Sequence, residues 1–164
     1  MNVIVALGSN VASCAGSPRE TLHAAIVELM RKGLQVLATS RFYESPAWPD
    51  SSDPPFINAV SKIQTDLPPT ALLACLHEIE RGFGRERGAR NAPRTLDLDI
   101  IDCDGKIVDG SLTLPHPRMS TRGFVLIPLR DVAPDWRHPI TGKTVSEMIA
   151  ELPPDERNLP AAKD

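Results

Sequence analysis

Prolines divide this sequence into short segments and limit where helices and strands can run. The chain has 16 prolines in 164 residues, about twice the usual share of roughly 5%. The segment ESPAWPDSSDPP, residues 44–55, holds four of them. Because proline lacks an N–H and fixes φ, such a segment cannot be regular helix or strand. We therefore expect short elements that are joined by several long loops of fixed shape.

The apolar stretches between these loops alternate between strand and helix periodicity. In chain order we predict a strand ending at Gly8, a helix from Ser17 or Pro18 to Arg31, strands over 34–43 and 56–65, a second helix that begins within 66–70, a strand over 94–100, a turn at Asp104–Gly105, a short strand near 106–108, a mixed strand, turn and helix segment over 112–134, and a last helix over 144–151. The order β-α-β-β-α-β predicts a ferredoxin-like α+β fold, an antiparallel sheet with helices packed on one face.

The totals fit one ordinary globular domain over residues 1–164, with roughly the last 15 residues loose. The net charge of −3 gives no basic excess for nucleic acid, and no run of 18 apolar residues or signal peptide is present. The three cysteines show no CxxC spacing, which is typical of free thiols in a reducing compartment, and we expect a cytoplasmic protein. We expect no membrane or nucleic-acid partner and a monomer.

Two aspartates stand on one face of the strand RTLDLDI, residues 94–100. Side chains alternate along a strand, so Asp97 and Asp99 point the same way, roughly 7 Å apart. Two carboxylates that close repel each other unless a cation lies between them. The face is therefore either simply exposed to water or a metal site.

The residues that precede this strand are rich in arginine. Five arginines, at positions 81, 85, 87, 90 and 94, fall within fourteen residues, beside a single acid, Glu86. The arginine side chain suits bidentate phosphate contacts. By itself the run is more often a solvated loop, but beside paired carboxylates that could hold Mg²⁺ it indicates a polyphosphate substrate.

Other candidates lie farther along the chain. His116 stands between two prolines and is followed by Arg122 and Phe124, which suits a second phosphate-facing group, although a lone loop histidine is more often structural. Phe56 and Asn58 share a strand face, and a flat ring ligand could stack between two of the few aromatic side chains. Neither a P-loop motif nor a glycine-rich loop after a strand is present, which excludes the P-loop and Rossmann interpretations.

Five segments, ALGSN, FYESPAW, FINAV, APRTLDLDI and LPHPRMSTRGFVLIPL, occur in this order. Together they closely resemble the 6-hydroxymethyl-7,8-dihydropterin pyrophosphokinases of folate biosynthesis, from about Asn2 to Val145. The resemblance implies a ferredoxin-like fold. It also implies transfer of the pyrophosphoryl group of ATP to the pterin hydroxymethyl oxygen, with release of AMP.

The resemblance also implies roles for individual residues. Asp97 and Asp99 would bind two Mg²⁺ ions, and Arg85, Arg87 and Arg94 would act with them in catalysis. The ATP-binding set would be Glu80, Arg94, Ile100, Thr113, His116 and Arg122. The pterin-binding set would be Ser45, Pro46, Trp48, Phe56, Asn58 and Phe124, in which Phe56 and Phe124 sandwich the ring and Asn58 reads its edge. His77 and Asn91 stand where some members carry Gln and Trp.

The resemblance implies a reaction in which positioning and charge neutralisation carry most of the catalysis. No side chain is an obvious general base, and Asp97 is the best candidate. Two rival hypotheses remain from the residues alone. A metal-dependent phosphatase or nuclease would use the same aspartates and arginines, and an RNA-binding ferredoxin-like module would need a basic surface and aromatic side chains on the sheet.

Overall fold

The computed structural model describes residues 1–47, 51–85 and 94–162. In chain order these residues form β1 (Asn2–Ser9), α1 (Pro18–Arg31), β2 (Gln35–Thr39), β3 (Tyr43–Ser45), β4 (Phe56–Gln64), α2 (Pro69–Gly82), β5 (Asp97–Cys103), α3 (Gly123–Val132), α4 (Val145–Ala150) and α5 (Pro154–Arg157), with a 3₁₀ turn at Met119–Thr121. Within these ranges no helix has the length and apolar character needed to cross a membrane.

The strands form one antiparallel sheet in the order β2-β4-β1-β5, and β3 pairs with the first half of β4. The central strand β1 therefore has β4 on one side and β5 on the other. At its end, Gly8 is paired with Asn58 of β4 and with Asp97 of β5. The predicted α+β class, an antiparallel sheet with helices packed on it, is confirmed.

The helices cover both faces of the sheet, whereas the sequence predicted them on one. On one face Val3, Val5 and Leu7 of β1 pack in a core cluster with the buried residues of α1 and α2. On the other, Ile4 packs in a second cluster with residues of α3 and α4. The cause is that β1 is apolar at successive positions, so both of its faces must be buried.

Two strand predictions were wrong in detail. The strand predicted over 34–43 is two strands, because Ser40 leaves the regular ladder: its hydroxyl oxygen accepts the Val60 N–H at 2.9 Å and donates to Arg41 O at 2.7 Å. The strands predicted near 106–108 and within 112–134 reduce to a single bridge between Val108 and Leu114.

Candidate active site

Strand β5 presents its two aspartates on the face that also carries α3. Asp97 lies beside Gly8 and Asp99 beside Ala6, while Leu98 and Ile100 point into the core cluster on the other face. Both carboxylates remain partly exposed. The prediction that they share one face is confirmed.

Two arginines hold the Asp97 carboxylate. Arg85 donates from Nη1 to Oδ1 of Asp97 at 2.5 Å, and Arg94 donates from Nη1 to Oδ2 at 3.0 Å. The same Nη1 of Arg85 donates to Oε2 of the buried Glu80 at 2.5 Å, and this oxygen also accepts the Leu98 N–H at 2.9 Å. Burial would lower the pKa of Arg85, but the charges of Asp97 and Glu80 raise it above the ordinary value. Helix α2 and strand β5 are thereby joined through one guanidinium.

Asp99 is in a different electrostatic situation. Burial, followed by the charges of Asp97 and Glu80, raises the pKa of its carboxyl to about 7, against the opposing charges of Arg122 and Arg94. Among the described residues no group donates a hydrogen bond to the Asp99 carboxylate. Within that part of the chain Asp99 therefore lacks the arginine hydrogen bonds that hold Asp97.

A divalent cation beside Asp99 would counter the charges of Asp97 and Glu80 and favour the ionised form of Asp99. Carboxylate oxygens suit Mg²⁺, which is commonly held by one or two carboxylates together with substrate phosphates and waters. The described part of the chain contains no group of three or more His, Cys, Asp or Glu side chains arranged for a metal ion. Asp97 and Asp99 are carboxylates of the type that can hold a cation together with the phosphates of a ligand.

His116 is tied to the same strand. The backbone N–H of His116 donates to Ile101 O at 2.8 Å, and the ring Nδ1 accepts the backbone N–H of Arg118 at 3.2 Å. Burial, then the charges of Arg122 and Arg118, lowers the pKa of His116 to about 4. The imidazole is therefore neutral near pH 7, and because Nδ1 accepts, its proton lies on Nε2, where it can be donated to a ligand.

Three of the predicted pterin-binding residues, Ser45, Phe56 and Asn58, lie on the same face of the sheet, across β1 from Asp97. Asn58 is buried and donates from Nδ2 to the Ser45 hydroxyl at 2.7 Å. A Cβ on Gly8 would lie 3.4 Å from Asn58 Oδ1 and 3.6 Å from the Phe56 ring. The absence of a side chain at Gly8 therefore leaves space between the carboxylates of β5 and the amide of β4.

The start of α3 forms another wall of this region. Arg122 precedes the helix, and its guanidinium lies 5.4 Å from the centre of the Phe124 ring. Both Phe124 and Phe56 are partly exposed, so both rings are available to a ligand. Burial lowers the pKa of Arg122, while the charge of Asp99 acts in the opposite direction.

Several predicted residues are placed differently or lie outside the described residues. Ile100 is buried in the core on the opposite face, which leaves only its backbone for a nucleotide. Glu80 is buried beneath Arg85, and the Thr113 hydroxyl donates to Gly110 O at 3.3 Å in a loop. Pro46 is exposed beside Ser45. Trp48, Arg87 and Asn91 fall outside the described residues.

Asn10 is a positioning residue that the sequence reasoning missed. It is buried; its Oδ1 accepts the Arg94 N–H at 2.7 Å, and its Nδ2 donates to Pro54 O at 3.1 Å. It thus joins the arginine segment to the proline-rich loop of residues 44–55. The signal was present, because Asn10 and Gly8 both belong to the segment ALGSN.

The chain was compared with known families and proteins. Residues 4–134 match the family model for 7,8-dihydro-6-hydroxymethylpterin-pyrophosphokinase. Proteins named 2-amino-4-hydroxy-6-hydroxymethyldihydropteridine pyrophosphokinase are similar: that of Pseudomonas aeruginosa is 41% identical over 153 residues, which is 92% of this chain and 91% of that protein, and that of a Synechocystis species is 40% identical over 151 residues, 91% and 75%. The folic acid synthesis protein fol1 of Pneumocystis carinii is 40% identical over 151 residues, 92% of this chain but only 20% of that longer protein. This chain belongs to the 7,8-dihydro-6-hydroxymethylpterin-pyrophosphokinase family.

Proposed function

We propose that this protein transfers the pyrophosphoryl group of ATP to the hydroxymethyl oxygen of 6-hydroxymethyl-7,8-dihydropterin and releases AMP, a step of folate biosynthesis. The observation that carries the proposal is the pairing of Gly8 with both Asp97 and Asn58. Because of it, a charged half and a hydrogen-bonding half lie on one sheet face with space between them. Such an arrangement suits a reaction between a polyphosphate and a flat polar ring.

The triphosphate would lie over β5. Two Mg²⁺ ions held by Asp97 and Asp99 would neutralise the triphosphate charge and so make the β-phosphorus more open to attack. Arg94 would be held in place by Asp97 and Asn10, and the Nε2–H of His116 would be donated to a phosphate oxygen. Hydrogen bonds within the protein hold both Arg94 and His116, which favours electrostatic stabilisation with little reorganisation.

Two arginines that follow α2 in the sequence would complete the site. Arg85 follows α2 and is within reach of β5. We assign it, with Arg87, to stabilising the charge that develops on the oxygen between the α- and β-phosphates of ATP as AMP departs. Arg122 would contact the nucleotide from the start of α3. Glu80 would also contribute on the nucleotide side, since it orients Arg85, and the backbone of Ile100 and the Thr113 hydroxyl complete the proposed ATP contacts.

The pterin would occupy the other half. Asn58 can read a donor and acceptor edge, and its amide is oriented by Ser45. Phe56 and Phe124 would stack on the two faces of the ring, since offset aromatic stacking stabilises flat ligands. Pro46 and Trp48 would contribute from the adjoining loop.

One incubation tests the proposal. The protein is mixed with ATP, Mg²⁺ and 6-hydroxymethyl-7,8-dihydropterin, and AMP and the pterin diphosphate are measured by chromatography, with EDTA added in a parallel sample. AMP and pterin diphosphate in equal amounts are expected, and none with EDTA. Phosphate release without pterin would indicate the phosphatase alternative. Salt-sensitive RNA binding without turnover would indicate the RNA-binding alternative.

A further inference from the structure

Residues 158–162 run along the edge of β3 that faces away from β4. The Glu44 N–H donates to Pro160 O at 2.9 Å, and the Ala162 N–H donates to Phe42 O at 2.8 Å. These are the contacts of an added antiparallel strand. The C-terminal residues thus complete the hydrogen bonding of β3 on its outer edge.

The preceding residues contact a second element of the proposed site. Gly123 is the first residue of α3, and a Cβ placed on it would lie 2.2 Å from Glu156 O in α5. Only glycine permits so close an approach of two backbones. The neighbours of Gly123 are Arg122 and Phe124, so α5 supports the part of α3 that carries both.

We name residues 154–162 the C-terminal strap. Further contacts hold the strap against the rest of the protein. The Arg157 Nε–H donates to Leu152 O at 2.6 Å, and Leu159 packs against the second core cluster. Arg19 of α1 donates to Ala162 O at 3.4 Å. The strap lies beyond residue 134, where the match to the family model ends.

We propose that the C-terminal strap is a positioning element for the pterin pocket. It connects the strand that carries Ser45 to the helix start that carries Phe124, and we assign both elements to the pterin pocket. By holding both, it sets the distance across which the ring must fit. This inference rests on the proposed function, because it assigns the pterin to that pocket.

A proline substitution tests the strap with little change in side-chain size. Ala162→Pro removes the N–H that is donated to Phe42 O. The matched control is Ala161→Pro: Ala161 lies opposite Tyr43 in the antiparallel bridge, and no acceptor for its N–H is recorded in the described ranges. For Ala162→Pro we expect a KM and Kd for the pterin that are about 3- to 10-fold higher, the effect of one lost hydrogen bond. The kcat and the KM for ATP should stay within about twofold of wild type.

Amide exchange of Glu44 gives a readout that does not depend on turnover. It should be faster in Ala162→Pro than in Ala161→Pro, and calorimetry with the pterin alone should show the same order of affinity. A deletion of residues 158–164 should reproduce the pterin effect if the proline variant does not fold. Equal pterin affinity in the two proline variants, or an equal loss of ATP affinity, would overturn the strap. If the wild-type protein makes no AMP, but calorimetry still shows weaker pterin binding in Ala162→Pro than in Ala161→Pro, the proposed function alone would be overturned.

Discussion

Arg85 Nη1 donates a hydrogen bond to Asp97 Oδ1 at 2.5 Å. Asp97 is a carboxylate that we assign to metal and phosphate binding. Arg85 therefore has two possible sets of partners: the carboxylates of Asp97 and Glu80, and the phosphates of a nucleotide. The contacts with the two carboxylates hold it close to where charge would develop during the reaction. Its contribution should then appear mainly in the transition state.

Arg85→Ala should lower kcat about 10²- to 10³-fold, the usual effect of a lost charge-stabilising donor, with a smaller change in ATP affinity. Arg81→Ala is the matched control, since Arg81 lies in the last turn of α2, shortly before Arg85 in the sequence, and is exposed. Steady-state kinetics together with calorimetry of a non-hydrolysable ATP analogue separate the two effects. A weakened analogue affinity at unchanged kcat would contradict this role for Arg85.

The metal assignment predicts a loss of activity without a loss of fold. Asp97→Ala or Asp99→Ala should abolish Mg²⁺-dependent turnover and weaken Mn²⁺ binding in the presence of an ATP analogue, because each variant removes one of only two carboxylate ligands. Electron paramagnetic resonance of Mn²⁺ measures the binding directly, and circular dichroism checks the fold. Asp109→Ala, a substitution in an exposed loop, is a suitable control. Wild-type turnover in either site variant at ordinary Mg²⁺ would show that the metal site lies elsewhere.

The raised pKa of Asp99 predicts how the metal-free protein responds to pH. Because the carboxyl pKa is about 7 in the folded state and 3.8 in the reference state, the folded state holds this proton more tightly. The resulting stabilisation is present below pH ~4 and is lost as the pH rises to ~7. Asp99→Asn removes this titration, so urea unfolding in EDTA should show the variant gaining on wild type by on the order of a few kcal/mol between pH 4 and pH 7. A constant difference across this range would refute the raised pKa.

Asn10 should matter although it need not touch either substrate. Asn10→Ala removes the partly buried hydrogen bonds to Arg94 N and Pro54 O. At about 0.5–1.5 kcal/mol for each bond, we expect a free energy of unfolding that is about 1–3 kcal/mol lower. Catalysis should fall with it, since Arg94 loses its anchor. Asn2→Ala, at an exposed position at the start of β1, serves as the control in both urea unfolding and kinetics. An unchanged kcat would mean that Arg94 is positioned without Asn10.

Local periodicity explains what the sequence could predict. The shared face of Asp97 and Asp99 depends only on the alternation of side chains along one strand. The helix Pro18–Arg31 depends on its own apolar positions and on the Ser17 cap, which the structure contains. Packing on both sheet faces was predictable in principle, because Val3, Ile4 and Val5 are apolar in succession. The ion cluster of Glu80 and Arg85 with Asp97 was not, since it joins residues of two elements whose approach only the folded chain sets. The contact of the C-terminal residues with β3 likewise leaves no periodic signal.

Asn58 is the residue on which the choice of substrate should depend. It is buried on strand β4, and its Nδ2–H donates to the Ser45 hydroxyl. This bond orients Oδ1 toward the space above Gly8. A site built from hydrogen bonds rejects ligands that leave its polar groups unpaired. Asn58→Ala should therefore weaken pterin binding by about 1–3 kcal/mol, the cost of an unpaired buried group. The triphosphate would lie over Asp97, Asp99 and His116 on the far side of β1, so affinity for an ATP analogue should stay close to that of wild type.

Calorimetry with each ligand separately measures both effects, and Ser45→Ala should give a smaller pterin loss, because it disturbs only the orientation of the amide. A pterin affinity within about twofold of wild type, or an equal loss for the ATP analogue, would remove Asn58 from the site.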